Sequence, residues 1–231
     1  RVRDLLVVLV TGVALASLQP NAVFSVAVLS APICAGTMVK LLAERDVSAK
    51  KRKSITAAAI GAVLIAWVLL WMAPPFSSMV TYPWPATAEE GRAFFDVTTL
   101  AMMSGVPQWV LGMLVLSGAI WAFVKKRNRA LVVSYGICAV MFFICVVSDG
   151  TLRSLIDGFW YNDAYRIAAL VALAGIPLAS MGLCAICDLV NGLLRGLCEK
   201  GPDKRIVFAA AMGLTFMLLY FPRGIIGHEL G

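Results

Sequence analysis

The sequence predicts an all-α, polytopic transmembrane helix bundle of about seven spans, with a short outer interfacial helix. Three observations carry this. The 231 residues are 61% hydrophobic and 14% charged, which leaves too little polar surface to cover a water-soluble globule. The apolar residues fall in runs long enough for a bilayer core of about 30 Å. Nearly all Lys and Arg gather between those runs, at Arg45/Lys50/Lys51/Arg52/Lys53, Lys125/Lys126/Arg127/Arg129 and Arg195/Lys200/Lys204/Arg205, or near the N-terminus.

Seven stretches qualify as spans: Leu5 to Leu18, Ala22 to Ala43, Ile55 to Met72, Val106 to Val124, Ala130 to Val147, Ile167 to Val190 and Ile206 to Phe221. The first is short and stops at Gln19-Pro20-Asn21, so spans one and two form a tight hairpin there. Pro32 and the Gly175/Pro177 pair are expected to kink spans two and six. Small residues such as Ala57-Ala58-Ala59-Ile60-Gly61-Ala62 and Ala209-Ala210-Ala211-Met212-Gly213 allow close helix approach. No repeat of clear period stands out.

Threading the spans from a cytoplasmic N-terminus places sixteen of the twenty Lys and Arg inside, counting Arg1, Arg3 and Lys40, and leaves Arg92, Arg153, Arg166 and Arg223 outside. Cytoplasmic loops carry the positive excess, so this threading is preferred, with the C-terminus outside the plasma membrane. The net charge of +7 then reports topology, and nucleic acid is not a partner. Residues 44–54, 125–129 and 195–205 become short basic cytoplasmic loops, while 74–105 and 148–166 become the long outer ones. Glu89, Glu90, Asp96, Asp149, Asp157, Asp163 and Glu229 also fall outside. Residues 1–231 read as a single membrane domain within a longer protein, with upstream and downstream parts as partners beside the bilayer.

The first outer loop opens with Pro74-Pro75-Phe76 and continues to Tyr82-Pro83-Trp84-Pro85, a density of proline that argues against regular helix. Thr87-Ala88-Glu89-Glu90 is a capping-box pattern, and a helix starting there carries Phe94, Phe95 and Val97 beside Arg92 and Asp96. Such a segment lies along the outer surface, either as a plain anchor or as one wall of a site for a lipid-borne substrate.

The second outer loop is denser in chemistry. In a helix from Asp149 to Asp157, the i, i+4, i+8 spacing lines up Asp149, Arg153 and Asp157, with Arg153 between two carboxylates. Two readings stand: an ion-pair ladder that holds the loop, or a polar site. In the second, Asp149, Asp157 and Asp163 are able to bind a divalent cation or act as bases, and Arg153 or Arg166 to hold a phosphate. Trp160, Tyr161 and Tyr165, next to Asn162, either stack on a sugar ring or form an aromatic belt.

The remaining candidates are weaker. Cys184-x-x-Cys187 has redox spacing but sits inside span six, where small buried side chains are the ordinary use. Asp188 lies near the cytoplasmic end of that span, within reach of Arg195, and as a proton relay it is shallow. None of the six cysteines, Cys198 included, implies a disulfide. His228 is the one histidine, so a His-based metal cluster is not available and no metal site is assigned.

Gln19-Pro20-Asn21-Ala22-Val23-Phe24-Ser25 and Gly158-Phe159-Trp160-Tyr161-Asn162-Asp163-Ala164-Tyr165-Arg166 resemble an actinobacterial family of uncharacterised polytopic membrane proteins. That family is similar to C-type glycosyltransferases, which take sugars from polyprenyl-phosphate donors at the outer face. The resemblance implies a cell-envelope enzyme, or part of one, with a polyprenyl-phosphate sugar as partner. It implies a catalytic acidic residue in a first outer loop upstream of this chain, so no catalytic residue carries over to a numbered position here. A transporter or flippase, or a non-catalytic membrane scaffold, are the competing readings.

Overall fold

A backbone surrounded by lipid must bond to itself, so apolar runs of this length fold as helices. The computed structural model describes residues 2–197 and 203–226, and among them the regular structure is entirely helical. Arg1, Cys198, Lys200, His228, Glu229 and Gly231, and the side chains of Arg195, Lys204 and Arg223, lie outside what is described.

The α-helices run α1 (Val2–Leu18), α2 (Pro20–Glu44), α3 (Ala49–Met72), α4 (Ser77–Val80), α5 (Glu90–Thr99), α6 (Trp109–Val124), α7 (Arg129–Val147), α8 (Thr151–Asp157), α9 (Ala164–Leu197) and α10 (Lys204–Ile226). Within the described residues, Pro20–Glu44, Ala49–Met72, Arg129–Val147 and Ala164–Leu194 are long and apolar enough to cross a membrane. Trp109–Val124 and Arg205–Leu218 are apolar but shorter. The chain is an all-α integral membrane protein with several crossings.

Local chemistry explains where the elements depart from expectation. α3 begins at Ala49, inside the basic cluster, because Lys and Arg are good helix formers. The Pro74–Pro75 pair does not prevent helical turns: it opens a 3-10 turn, Pro74–Phe76, that runs into α4, since prolines fit the first helical positions where no donor is needed. The helix expected from Thr87 starts instead at Glu90. The amides of Thr87 and Ala88 both donate to the Val146 carbonyl at the end of α7, at 2.9 and 3.0 Å, which holds them out of the helix. α2 and α9 continue through Pro32 and Pro177.

The helices form two compact units, residues 1–93 with 133–171 and residues 94–132 with 172–231. In the first, α1 and α2 are joined through the single residue Gln19, and Pro20 takes the first position of α2. Ser134 of α7 donates to the Leu29 carbonyl of α2 at 2.9 Å. Lys51 lies in the first turn of α3 and Trp71 in its last, about 30 Å apart at helical rise.

In the second unit the α6 face built by Gly112, Leu114, Val115, Gly118 and Ala122 is buried. Gly118 of α6 and Gly182 of α9 pass so closely that a Cβ on Gly118 would overlap the Leu178 carbonyl and lie 2.9 Å from the Gly182 nitrogen. This is the small-residue contact that membrane helices use where lipid removes the hydrophobic drive. Gly118→Val or Gly182→Val should therefore cost about 2 kcal/mol or more, from overpacking against backbone that cannot yield. Gly136→Ala in α7, with nothing within 4 Å of the added methyl, should be neutral or slightly stabilising. Thermal unfolding in detergent separates the two outcomes.

Candidate functional site

The first unit carries its polar chemistry where the two long loops meet. Tyr82-Pro83-Trp84-Pro85 sets the local structure: each proline confines the residue before it to extended backbone and removes a donor of its own. An extended segment with no strand beside it leaves its carbonyls in need of donors. The Val80 carbonyl at the end of α4 and the Tyr82 and Trp84 carbonyls beyond it all meet donors of the second loop.

The second loop supplies those donors. Ser154 Oγ donates to the Val80 carbonyl at 2.6 Å. Asn162 Nδ2 donates to the Val80 and Tyr82 carbonyls at 3.3 and 2.9 Å. Arg153 Nη1 donates to the Trp84 carbonyl at 2.7 Å and also reaches Asp149 Oδ1 at 3.4 Å. Asp149 Oδ1 in turn accepts from the Ala86 amide at 3.0 Å. Arg153 Nη2 donates to the Asn162 carbonyl at 2.7 Å, fixing the residue that holds Tyr82.

Backbone geometry places these groups. Gly150, at φ +88°, turns the chain from the end of α7 into α8 in a conformation that favours glycine. Gly158 lets the next turn press on α4, where a Cβ would sit 2.9 Å from both Cα and Cβ of Val80. Tyr161 and Asn162 both take left-handed conformations, at φ 63° and 55°, and swing Asn162 beneath the extended segment before α9 begins. Asn accepts that region more readily than most side chains.

Beneath the polar contacts lies an aromatic core. Phe159 is fully buried and stacks on Phe24 of α2 at 3.9 Å, with the Trp67 and Phe76 rings edge-on at 4.8 and 5.6 Å. Trp160 is also buried, and its Nε1 donates to Ser25 Oγ at 2.9 Å. Trp67 Nε1 donates to the Leu155 carbonyl at 2.8 Å and Trp71 Nε1 to Ser154 Oγ at 3.2 Å, pinning α8 to the end of α3.

Asp157 is fully buried, and neither of its carboxyl oxygens has a hydrogen-bond partner. Burial pushes this carboxyl well above the usual carboxylate range, and the nearby Arg153 charge opposes that shift without reversing it. Between the ordinary carboxylate range and the raised value, the folded state therefore holds a proton that an unfolded chain releases. Stability from this group falls as pH rises from the ordinary carboxylate range towards the raised value.

The predicted site residues separate into three groups. Asp149, Arg153 and Asn162 line an open cleft of about 430 Å³ together with Trp71, Val80, Thr81, Tyr82, Pro83, Trp84, Gly150, Thr151 and Ser154. Asp149 is exposed at its mouth, whereas Arg153 is buried. Asp157 and Trp160 sit in the core, so Trp160 is not placed to stack on a ligand and Asp157 is not the end of an ion-pair ladder. The rung that forms is Arg153 with Asp149. Asp163, Arg166 and Tyr161 make a separate surface group, with Arg166 paired to Asp163 at 3.2 Å and its guanidinium 4.7 Å from the centre of the Tyr161 ring. Tyr161 meets Tyr82 edge-on at 6.0 Å, which links that group to the rim.

Tyr82, Trp84, Trp71 and the Thr81, Thr151 and Ser154 hydroxyls are cleft residues that motif reading passed over. The alternation Tyr82-Pro83-Trp84-Pro85 was the available signal, because it announces carbonyls that some other segment must satisfy. Among the described residues, no group of three or more His, Cys, Asp or Glu is placed to hold a metal ion. Cys187 is buried while Cys184 is exposed, and both are free thiols.

The model of a family of unknown function (DUF6541) matches residues 1–226. No curated protein and no solved structure matches the chain.

Arg153→Ala strands the Trp84 carbonyl, leaves the Asn162 carbonyl with only the weak Cys145 thiol, and should cost about 3 kcal/mol. Arg153→Lys should recover a minor part, because one ammonium cannot span two carbonyls and a carboxylate as the guanidinium fork does. Asp149→Asn at the exposed mouth should cost about 1 kcal/mol or less. Thermal unfolding of the purified variants tests this order.

Proposed function

The chain belongs to the family of unknown function (DUF6541), and on that footing we propose that it is a bacterial cell-envelope protein holding a lipid-linked sugar at the outer face of the plasma membrane. The observation that carries this reading is the composition of the cleft. The Tyr82 and Trp84 rings, half exposed at 47% and 45%, stand beside the Asp149 carboxylate and the Thr81, Thr151 and Ser154 hydroxyls. Exposed aromatic faces with a few hydroxyls and one carboxylate suit a sugar ring, whose C–H faces stack and whose hydroxyls bond.

Placement supports the same reading. The cleft adjoins the last turn of α3, at the far end from the basic first turn that contains Lys51. With basic ends facing the cytoplasm, the cleft faces outward, where polyprenyl-phosphate sugars and not nucleotide sugars are the available donors. The N-terminus is then inside and the C-terminus outside. The motifs resemble an actinobacterial family that is similar to C-type glycosyltransferases, and that resemblance suggests the reaction class: transfer of the sugar to an envelope acceptor, with this chain as part of the enzyme.

Binding of a polyprenyl-phosphate sugar to protein in nanodiscs, followed by tryptophan fluorescence, is the direct test. Tyr82→Ala and Trp84→Ala should each weaken it at least ~10-fold, the loss of about 1.4 kcal/mol of stacking, while Phe94→Ala should not. No binding of any such lipid by the wild type would discard the reading.

Orientation has its own check, in a cysteine-free background treated with an impermeant maleimide. Leu152→Cys, at a side chain that is 55% exposed, should label in intact cells. Lys51→Cys should label after permeabilisation, and the reverse pattern would invert the topology.

A further inference from the structure

Arg153 and Asp157 stand one turn apart on α8, a spacing at which opposite charges ordinarily pair. Here they do not. The guanidinium is committed to the Trp84 and Asn162 carbonyls and to Asp149, and its Nε is left without a partner. The Asp157 carboxyl is fully buried at the end of α8, which packs on the turn 158–160 and α4, and both its oxygens are unpartnered.

We propose that Asp157 is a proton-binding site whose occupancy decides the partner of Arg153 and, through it, whether the Trp84 end of the 80–84 wall is fastened to the second loop. With the proton on, Asp157 is a neutral acid that makes no demand on the guanidinium, and Arg153 fastens the wall. Ionisation breaks the O–H bond and passes the proton to water. The carboxylate left behind in a low-dielectric site cannot stay unpaired. The nearest cation is one turn away, and a charged pair there outcompetes a bond to a neutral carbonyl. Arg153 then releases the Trp84 carbonyl, and the Trp84 end of the wall loosens while Ser154 and Asn162 keep Val80 and Tyr82 in place.

The surroundings leave Arg153 in control of this proton. From α8 and its approach come Arg153 and Asp149, and Asp149 is exposed and already bonded to the Ala86 amide. α7 presents the Cys145 thiol, which bonds the Asn162 carbonyl at 3.6 Å. Beyond the turn, Asp163 is paired with Arg166. α4 has no ionisable residue, and α2 and α3 bring Phe24, Trp67 and Trp71. The raised titration of Asp157 agrees with this enclosure. The inference concerns the wall itself and stands whether or not the cleft holds a sugar.

Infrared spectroscopy and hydrogen exchange on the full chain in nanodiscs test it. At neutral pH the wild type should show a protonated-carboxyl stretch that Asp157→Asn lacks. Raising the pH should remove that band and, corrected for intrinsic rates, accelerate exchange of the 84–88 amides at least ~10-fold with the same midpoint. In Asp157→Asn that exchange should stay flat. Where the Asn variant does not fold, Asp157→Leu removes the same proton in a form suited to aromatic surroundings. No such band at neutral pH, or protection of 84–88 that outlasts the band, would overturn the proposal.

Discussion

Three carbonyls, those of Val80, Tyr82 and Trp84, set the terms for the loop end of the first unit. Val80, Tyr82 and Trp84 have no helix or sheet ladder to receive their carbonyls, which turn towards the second loop while the residues 81–85 stay exposed on the other side. Each finds a side-chain donor from the second loop: Ser154, Asn162 and Arg153. The requirement explains the rest of the local architecture. Gly150 and Gly158 permit the turns, consecutive left-handed residues aim Asn162, and the Phe159 stack on Phe24 anchors the loop to α2.

Arg153 is the most consequential of these donors because it joins both loops through one planar group. A buried guanidinium is tolerable when its N–H groups are matched, and here carbonyl oxygens and one carboxylate do most of that matching. The consequence is an acid left alone. Asp157 has the right spacing to pair with Arg153 but loses it to the backbone, and a buried carboxyl without a donor keeps its proton. Stability and a latent response to pH thus share one side chain. The Trp84 carbonyl, held by one guanidinium, is easier to release than one held in a sheet ladder.

The helices were legible because lipid permits one backbone solution and because apolar length is countable along the chain. All seven expected spans coincide with helices, and the hairpin at Gln19-Pro20 stands where proline put it. Errors came where long-range contacts overrode local signals. The Thr87 capping box gave way to the Val146 carbonyl, and Pro74–Pro75 opened helical turns in place of preventing them. At the cleft, residue types and rough position were readable: Asp149, Arg153 and Asn162 do line it. Among the aromatic candidates, Trp160 reads as an interfacial or ligand-facing ring in sequence and is a core ring in space.

By itself the sequence determined the class of solvent, the helical fold, the number of apolar stretches and the loops rich enough in polar groups for chemistry. All are sums over neighbouring residues, so composition and order suffice. Tertiary structure decided which carbonyls lacked donors, which side chain met them, and therefore which carboxylate was paired and which was buried alone. Spacing allowed Arg153 two partners one turn away in either direction, Asp149 and Asp157. The choice between them rests on backbone atoms some seventy residues distant in the chain, at Trp84, with the Arg153 bond spanning a separation of 69. No local pattern carries that information.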